Sequence, residues 1–204
     1  MRGCGLSEVT NEIAKSMKYI CVYCGSRSGD LPDYATVAHH LGTELARAGF
    51  SLVYGGSEVG LMGIVANAAL QNGAEVIGVI PKRFSAEIVH EALTELYLVD
   101  TMHQRKQKMI DCADAFVALP GGIGTLEEIF EAIAWAHLGY HQKPCAFLNV
   151  SGYYDSLADF LDQAVANGFI SAVRRQMIYF AASSTDLLDW LKGQTQASRV
   201  ETKG

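Results

Sequence analysis

Two short segments of this chain carry side chains whose types and spacing suit chemistry: Met102-His103-Gln104-Arg105-Lys106 and Thr125-Leu126-Glu127-Glu128. In the first, Met102, Arg105 or Lys106, Met109, Ile110 and Ala113 recur at the i, i+3/i+4, i+7 spacing of a helix face turned toward a core. A cation in such a stripe is costly unless an anion meets it. The Arg105 fork suits a phosphate or a carboxylate, either of which it can grip bidentately. The plainer alternative is that the stems snorkel and the charges pair with Glu87, Glu91 or Asp111. The second segment also has two readings. Thr125 followed three residues later by Glu128 is a capping box, contributing about 1 kcal/mol to a helix start, and acids in a first turn complement the helix dipole. At the mouth of an anion site, the same two carboxylates would repel the anion unless they face another part of its carrier.

Glycine is what suggests an anion site. Three Gly-rich stretches each follow an apolar run: Cys24-Gly25-Ser26-Arg27-Ser28-Gly29, Gly55-Gly56-Ser57-Glu58-Val59-Gly60 and Pro120-Gly121-Gly122-Ile123-Gly124-Thr125. In such turns backbone N–H groups can approach a phosphate closely, above all where a helix begins. Gly25, Ser26, Gly55, Gly56, Gly122, Ile123, Gly124 and Thr125 are therefore candidate binding positions. Any one turn alone would be a weak signal. G-x-x-x-x-G-K-[ST] is absent, which removes the P-loop NTPases, and CGSRSG is not G-x-G-x-x-G, which removes the main support for NAD binding.

The elements that must position these residues follow from hydrophobic patterning. Continuous apolar runs predict strands at Tyr19–Tyr23, Ser51–Tyr54, Glu75–Ile80, Leu96–Val99, Ala115–Leu119 and Cys145–Val150, with a weaker one at Ile178–Phe180. Their lack of polar alternation predicts strands covered on both faces. Helical patterns lie between them, at about Asp33–Ala48, Leu61–Gln71, Met102–Ala113, Thr125–Leu138, Tyr153–Asn167 and Thr185–Lys192, with Gly49 and Gly73 where left-handed C-caps need glycine. Alternation of this kind predicts a doubly wound α/β fold, a parallel sheet with helices on both faces. Ligands of such sheets sit beyond the C-terminal strand ends, where the Gly-rich stretches fall. Residues 17–193 are expected to form a single domain, with 1–16 a loose extension and 194–204 a disordered tail.

Composition narrows the classes further. Of 204 residues, half are apolar and 19% charged, enough for a real core and against disorder. Sixteen Lys and Arg against 22 Asp and Glu give a net charge of −6 with no basic run, so neither nucleic acid nor an anionic membrane is an expected partner. No apolar stretch approaches the length of a membrane span, and the N-terminus lacks the apolar segment of a signal peptide. A cytoplasmic protein is expected. Five cysteines, an odd number, suit reduced thiols better than a disulfide framework. Cys21 and Cys24 form a C-x-x-C inside a predicted strand, where i and i+3 point to opposite faces, so a redox or metal pair is not expected. His137 and His141 lack the Glu of H-E-x-x-H, and no metal site is predicted. Trp135, Tyr153 and Tyr154 read as core or interface aromatics.

Taken together, CGSRSG at 24–29, YGGSEVGLMG at 54–63, MHQRK at 102–106 and LPGGIGTLEE at 119–128 resemble the LOG (Lonely Guy) family of cytokinin riboside 5'-monophosphate phosphoribohydrolases. The resemblance runs in order from about Met17 to Lys192. It implies a Rossmann-like homodimer that cleaves the N-glycosidic bond of adenine-type nucleoside 5'-monophosphates, with no cofactor. Carried over by position, Arg105 and Glu128 match the catalytic pair, and Glu87, Lys106, Gly122, Ile123, Gly124, Thr125, Leu126 and Glu127 match nucleotide-binding positions. Ala134 stands where plant members commonly have Thr. Members have often been labelled lysine decarboxylases, but nothing in the sequence suggests a pyridoxal phosphate site. The expected reaction is hydrolysis of AMP or N6-substituted AMP to the free base and ribose 5-phosphate. The alternatives are a general purine 5'-nucleotide nucleosidase and a non-catalytic nucleotide-binding module.

Overall fold

The structure, a computed structural model, describes residues 17–84 and 89–201. Seven short strands, β1 (Tyr19–Tyr23), β2 (Ser51–Tyr54), β3 (Val76–Pro81), β4 (Glu95–Val99), β5 (Ala115–Ala118), β6 (Cys145–Leu148) and β7 (Ile178–Ala181), form one sheet in the order β4-β3-β2-β1-β5-β6-β7. All six pairings are parallel. The chain winds outward from β1 to β4, then crosses back to place β5 on the other side of β1. That reversal is the switch point at which open α/β sheets bind ligands. The register Tyr23 opposite Ala118 brings the turns after β1 and β5 side by side there.

The two sides of the strands carry two separate cores. Ile20, Val22 and Cys24 point to the side covered by α1 (Pro32–Arg47), α2 (Gly60–Gln71) and α7 (Ser184–Glu201). Cys21 and Tyr23 point to the side covered by α3 (Met102–Cys112), α4 (Ile123–Leu138) and α5 (Asp155–Ala166). Both thiols of the C-x-x-C are thus buried on opposite faces, too far apart in direction to act as a pair. Parallel pairing demands crossover helices on both faces, and the continuous apolar runs answer that demand.

The structure departs from the sequence expectation in several places. Strand β4 is not covered on both faces: Leu96 and Leu98 are 38% and 49% exposed, because β4 is an edge strand. A five-residue helix, α6 (Ala172–Gln176), was not signalled; the Ser171 hydroxyl accepts from the Arg174 N–H and caps it. Helix α7 continues past its expected end at Lys192 to Glu201. Between Lys192 and Glu201 the sequence holds no proline and Gly193 is its one glycine, so nothing there stops a helix. The extension 1–16 lies outside the described residues, as does Glu87. Among the described residues, no helix is long and apolar enough to cross a membrane.

Candidate functional site

The three Gly-rich turns meet at the switch point and are bonded to one another. The Gly25 N–H donates to the Pro120 carbonyl (3.1 Å), and the Leu61 N–H donates to the Gly25 carbonyl (3.1 Å). Such stitching needs bare backbone. Gly60 has φ +60°, and a Cβ there would collide with the Ser26 carbonyl. The turns enclose a cavity of about 570 Å³, a size suited to a small ligand.

Helix α4 points its N-terminus at this cavity. Its N-cap is Gly122, with no side-chain cap, and the first N–H bonded inside the helix is that of Leu126, to the Gly122 carbonyl (3.1 Å). The N–H groups of Ile123, Gly124 and Thr125 are the orphan donors of the helix end, and with the dipole they favour an anion. Gly122 and Gly124 leave open space around those donors. The helix starts two residues before the expected Thr125, which overturns the capping-box reading. Thr125 lies inside the first turn with its hydroxyl against Gly121, and Glu128 turns elsewhere.

Glu128 turns to Arg105. Arg105 Nη1 lies 3.1 Å from Glu128 Oε1, and the two side chains are only 14% and 10% exposed. Arg105 Nε donates to the Val79 carbonyl (3.1 Å), which fixes the plane of the guanidinium. Of the anions proposed for Arg105, a carboxylate is therefore the one present. Burial pushes the Glu128 carboxyl above its ordinary range, and the Arg105 charge pulls it back only in part. Both residues line the cavity.

Lys106, on the same inward stripe, pairs with Glu127 and Glu131. Burial alone would lower its ammonium, but the hydrogen bonds to the two carboxylates leave it raised. Asp111, one of the partners first considered for the cations, accepts instead from Gln107 (2.8 Å). Lys106, Gly56 and Leu126 are not in the cavity wall. Gly25, Ser26, Gly55, Gly122, Ile123, Gly124, Thr125, Arg105, Glu127 and Glu128 are.

Sequence reasoning missed other parts of the wall. Tyr34, Met62 and Arg27 line it, and so does Tyr153, expected to be a core or interface aromatic. The Tyr153 hydroxyl donates to the Gly121 carbonyl (2.7 Å), and its ring meets Tyr34 edge-on at 5.6 Å. Tyr154 is the core residue of the two, its hydroxyl donating to the Leu119 carbonyl (2.7 Å). The available signal was position: Tyr153 follows the C-terminal end of β6, on the same sheet edge as the glycines. Among the described residues no group of His, Cys, Asp and Glu is arranged to hold a metal ion, and the Nε2 atoms of His137 and His141 are buried without a partner.

The family described as "Possible lysine decarboxylase" matches residues 62–191. Cytokinin riboside 5'-monophosphate phosphoribohydrolase LOG1 of Arabidopsis thaliana is 50% identical over 182 residues, 89% of this chain and 85% of that protein. LOG3 of the same plant is 46% identical over 200 residues, 96% of this chain and 93% of that protein. Among solved structures, a molybdenum cofactor binding protein from Rippkaea orientalis superposes with TM-score 0.67 at 23% identity, covering 87% of this chain and 96% of that one. At that identity the likeness concerns the fold.

Proposed function

This chain belongs to the LOG family of cytokinin riboside 5'-monophosphate phosphoribohydrolases, and from that premise we propose that it hydrolyses the N-glycosidic bond of AMP and N6-substituted AMP. The products are the free base and ribose 5-phosphate. The observation that carries this reading is the Arg105–Glu128 ion pair, largely buried in the wall of a cavity whose other wall is a helix N-terminus.

The roles follow from charge and placement. The 5'-phosphate lies at the N-terminus of α4, held by the N–H groups of Ile123, Gly124 and Thr125. Glu127 and Glu128, a turn further along the helix, face the sugar and not the phosphate, which removes the repulsion between like charges. Glycosidic cleavage builds positive charge at the anomeric carbon, and the Glu128 carboxylate stabilises that charge. Arg105 favours the ionised carboxylate against the cost of its burial and, anchored by the Val79 carbonyl, holds its position. Lys106 acts through Glu127 and not on the nucleotide directly.

A decarboxylase of the kind named in the matching family description would need a lysine to form a Schiff base with pyridoxal phosphate. Among the described residues none of the cavity-lining side chains is a lysine, and Lys106 is held by two carboxylates. The residues do not fit that group.

The working form is a homodimer with the cavity near the subunit contact. Supporting this are Ile123 on the cavity rim, 83% exposed, and the exposed Leu138 and Tyr140 at the far end of α4. The expected compartment is the cytoplasm, where an odd number of cysteines suits reduced thiols. The decisive experiment incubates pure protein with adenosine, AMP, N6-isopentenyl AMP and ATP and measures free base and ribose 5-phosphate. Monophosphates should be cleaved at least about tenfold more efficiently than adenosine. No release of base from any of them would overturn the reading.

A further inference from the structure

Four charged residues line the cavity, Arg27, Arg105, Glu127 and Glu128. Three of them are already committed. Arg105 is bound to Glu128 and the Val79 carbonyl, and Glu127 to Lys106. Arg27 alone has no hydrogen bond or ion pair through its side chain among the described residues, and it is exposed. Its backbone, by contrast, is tightly placed. The turn that carries it is bonded to Pro120 through the Gly25 N–H and to Leu61 through the Gly25 carbonyl, and Gly60 packs against the Arg27 amide. A fixed backbone carrying a free guanidinium at a cavity wall is suited to close on an anion once one arrives.

We propose that Arg27 is the cation that recognises the 5'-phosphate, opposite the N-terminus of α4. This rests on the nucleotide-hydrolase reading and refines it by dividing the labour: Arg105 serves the carboxylate, Arg27 the phosphate. A dianion entering a wall that holds two carboxylates needs a positive charge not already neutralised by them, and Arg27 supplies one.

The test uses Arg27→Gln and Arg27→Lys, with ribose 5-phosphate and adenine as separate probes of the two halves of the ligand. Binding of each probe is measured by calorimetry, alongside KM and kcat for AMP. In Arg27→Gln the dissociation constant of ribose 5-phosphate should rise about 10- to 100-fold and KM for AMP should rise with it, while adenine binding stays within about twofold. Arg27→Lys should recover most of the loss, since a point charge still attracts phosphate. Ribose 5-phosphate binding equally well to wild type and Arg27→Gln would overturn the inference, as would an equal loss for adenine, which would indicate a distorted cavity. Failure of the hydrolase reading would look different: wild-type protein would bind ribose 5-phosphate in an Arg27-dependent way yet release no base from AMP.

Discussion

Gly55 and Arg105 compete for one volume: a Cβ on Gly55 would overlap the Arg105 guanidinium and stand 3.4 Å from its Cζ. The glycine-rich turn after β2 therefore does more than approach a ligand. It leaves the space in which Arg105 reaches across from α3 to Glu128 on α4. Gly55→Ala should displace the guanidinium from Glu128 and the Val79 carbonyl, and leaving those buried groups without their partner should cost about 1–3 kcal/mol of stability. We expect kcat/KM for AMP to fall about 10- to 100-fold. Unchanged kinetics in a folded Gly55→Ala protein would mean the Arg105 position is not critical.

Glu128→Gln keeps the volume of the side chain and removes its charge. Turnover should fall by about 10²–10⁴-fold with nucleotide binding retained. Because the raised Glu128 pKa means that the neutral form suits the fold better than the ionised one, the neutral amide should leave stability within about 1 kcal/mol of wild type. Persisting turnover combined with a lower melting temperature would assign Glu128 a purely structural role.

The pH profile tests the same pair. Burial raises the Glu128 pKa above 4.5, so the ionised form, and with it kcat/KM, should be lost as pH falls through a value above 4.5. Arg105 opposes that shift, so in Arg105→Gln the acid limb of the residual activity should move to still higher pH. The linkage to stability has the matching sign. Protonated Glu128 favours the fold; this contribution is complete below pH 4.5 and is lost as pH rises through the raised value. An acid limb at or below pH 4.5 would contradict the burial effect.

Tyr153→Phe removes the hydrogen bond to the Gly121 carbonyl and leaves the ring against Tyr34. A stability loss of about 0.5–1.5 kcal/mol is expected, toward the low end because Tyr153 is exposed. KM for AMP should rise several-fold, since the turn before α4 loses a restraint. A melting curve and a KM identical to wild type would assign the Tyr153 hydroxyl no role in the turn.

Light scattering at micromolar concentration should give twice the chain mass, and Leu138→Glu should weaken the assembly by placing a charge in an apolar contact. A fully active protein at single-chain mass would refute the dimer and the placement of the cavity near its contact.

Much of the fold was legible in the sequence because the signals are local. Continuous apolar runs between helical patterns can be buried only as parallel strands, and the observed bounds of β1 and β2 coincide with the runs at Tyr19–Tyr23 and Ser51–Tyr54. Opposite burial of Cys21 and Cys24 follows from the two-residue period of a strand. The inward stripe of α3 likewise predicted that Arg105 and Lys106 need anions. Which anions they meet was not legible. Glu128 could serve Thr125 three residues back or Arg105 on another helix, and the local alternative looked sufficient in itself. The choice was made when α3 and α4 packed on the same face of the sheet and α4 began at Ile123, carrying Thr125 past the cap position. Tyr153 and Arg27 became cavity residues for the same reason: their turns sit at strand ends that lie far apart in the chain and meet only at the switch point between β1 and β5. Spacing along a chain determines periodicity and caps. Contacts across elements depend on strand order and crossover, which the sheet as a whole decides.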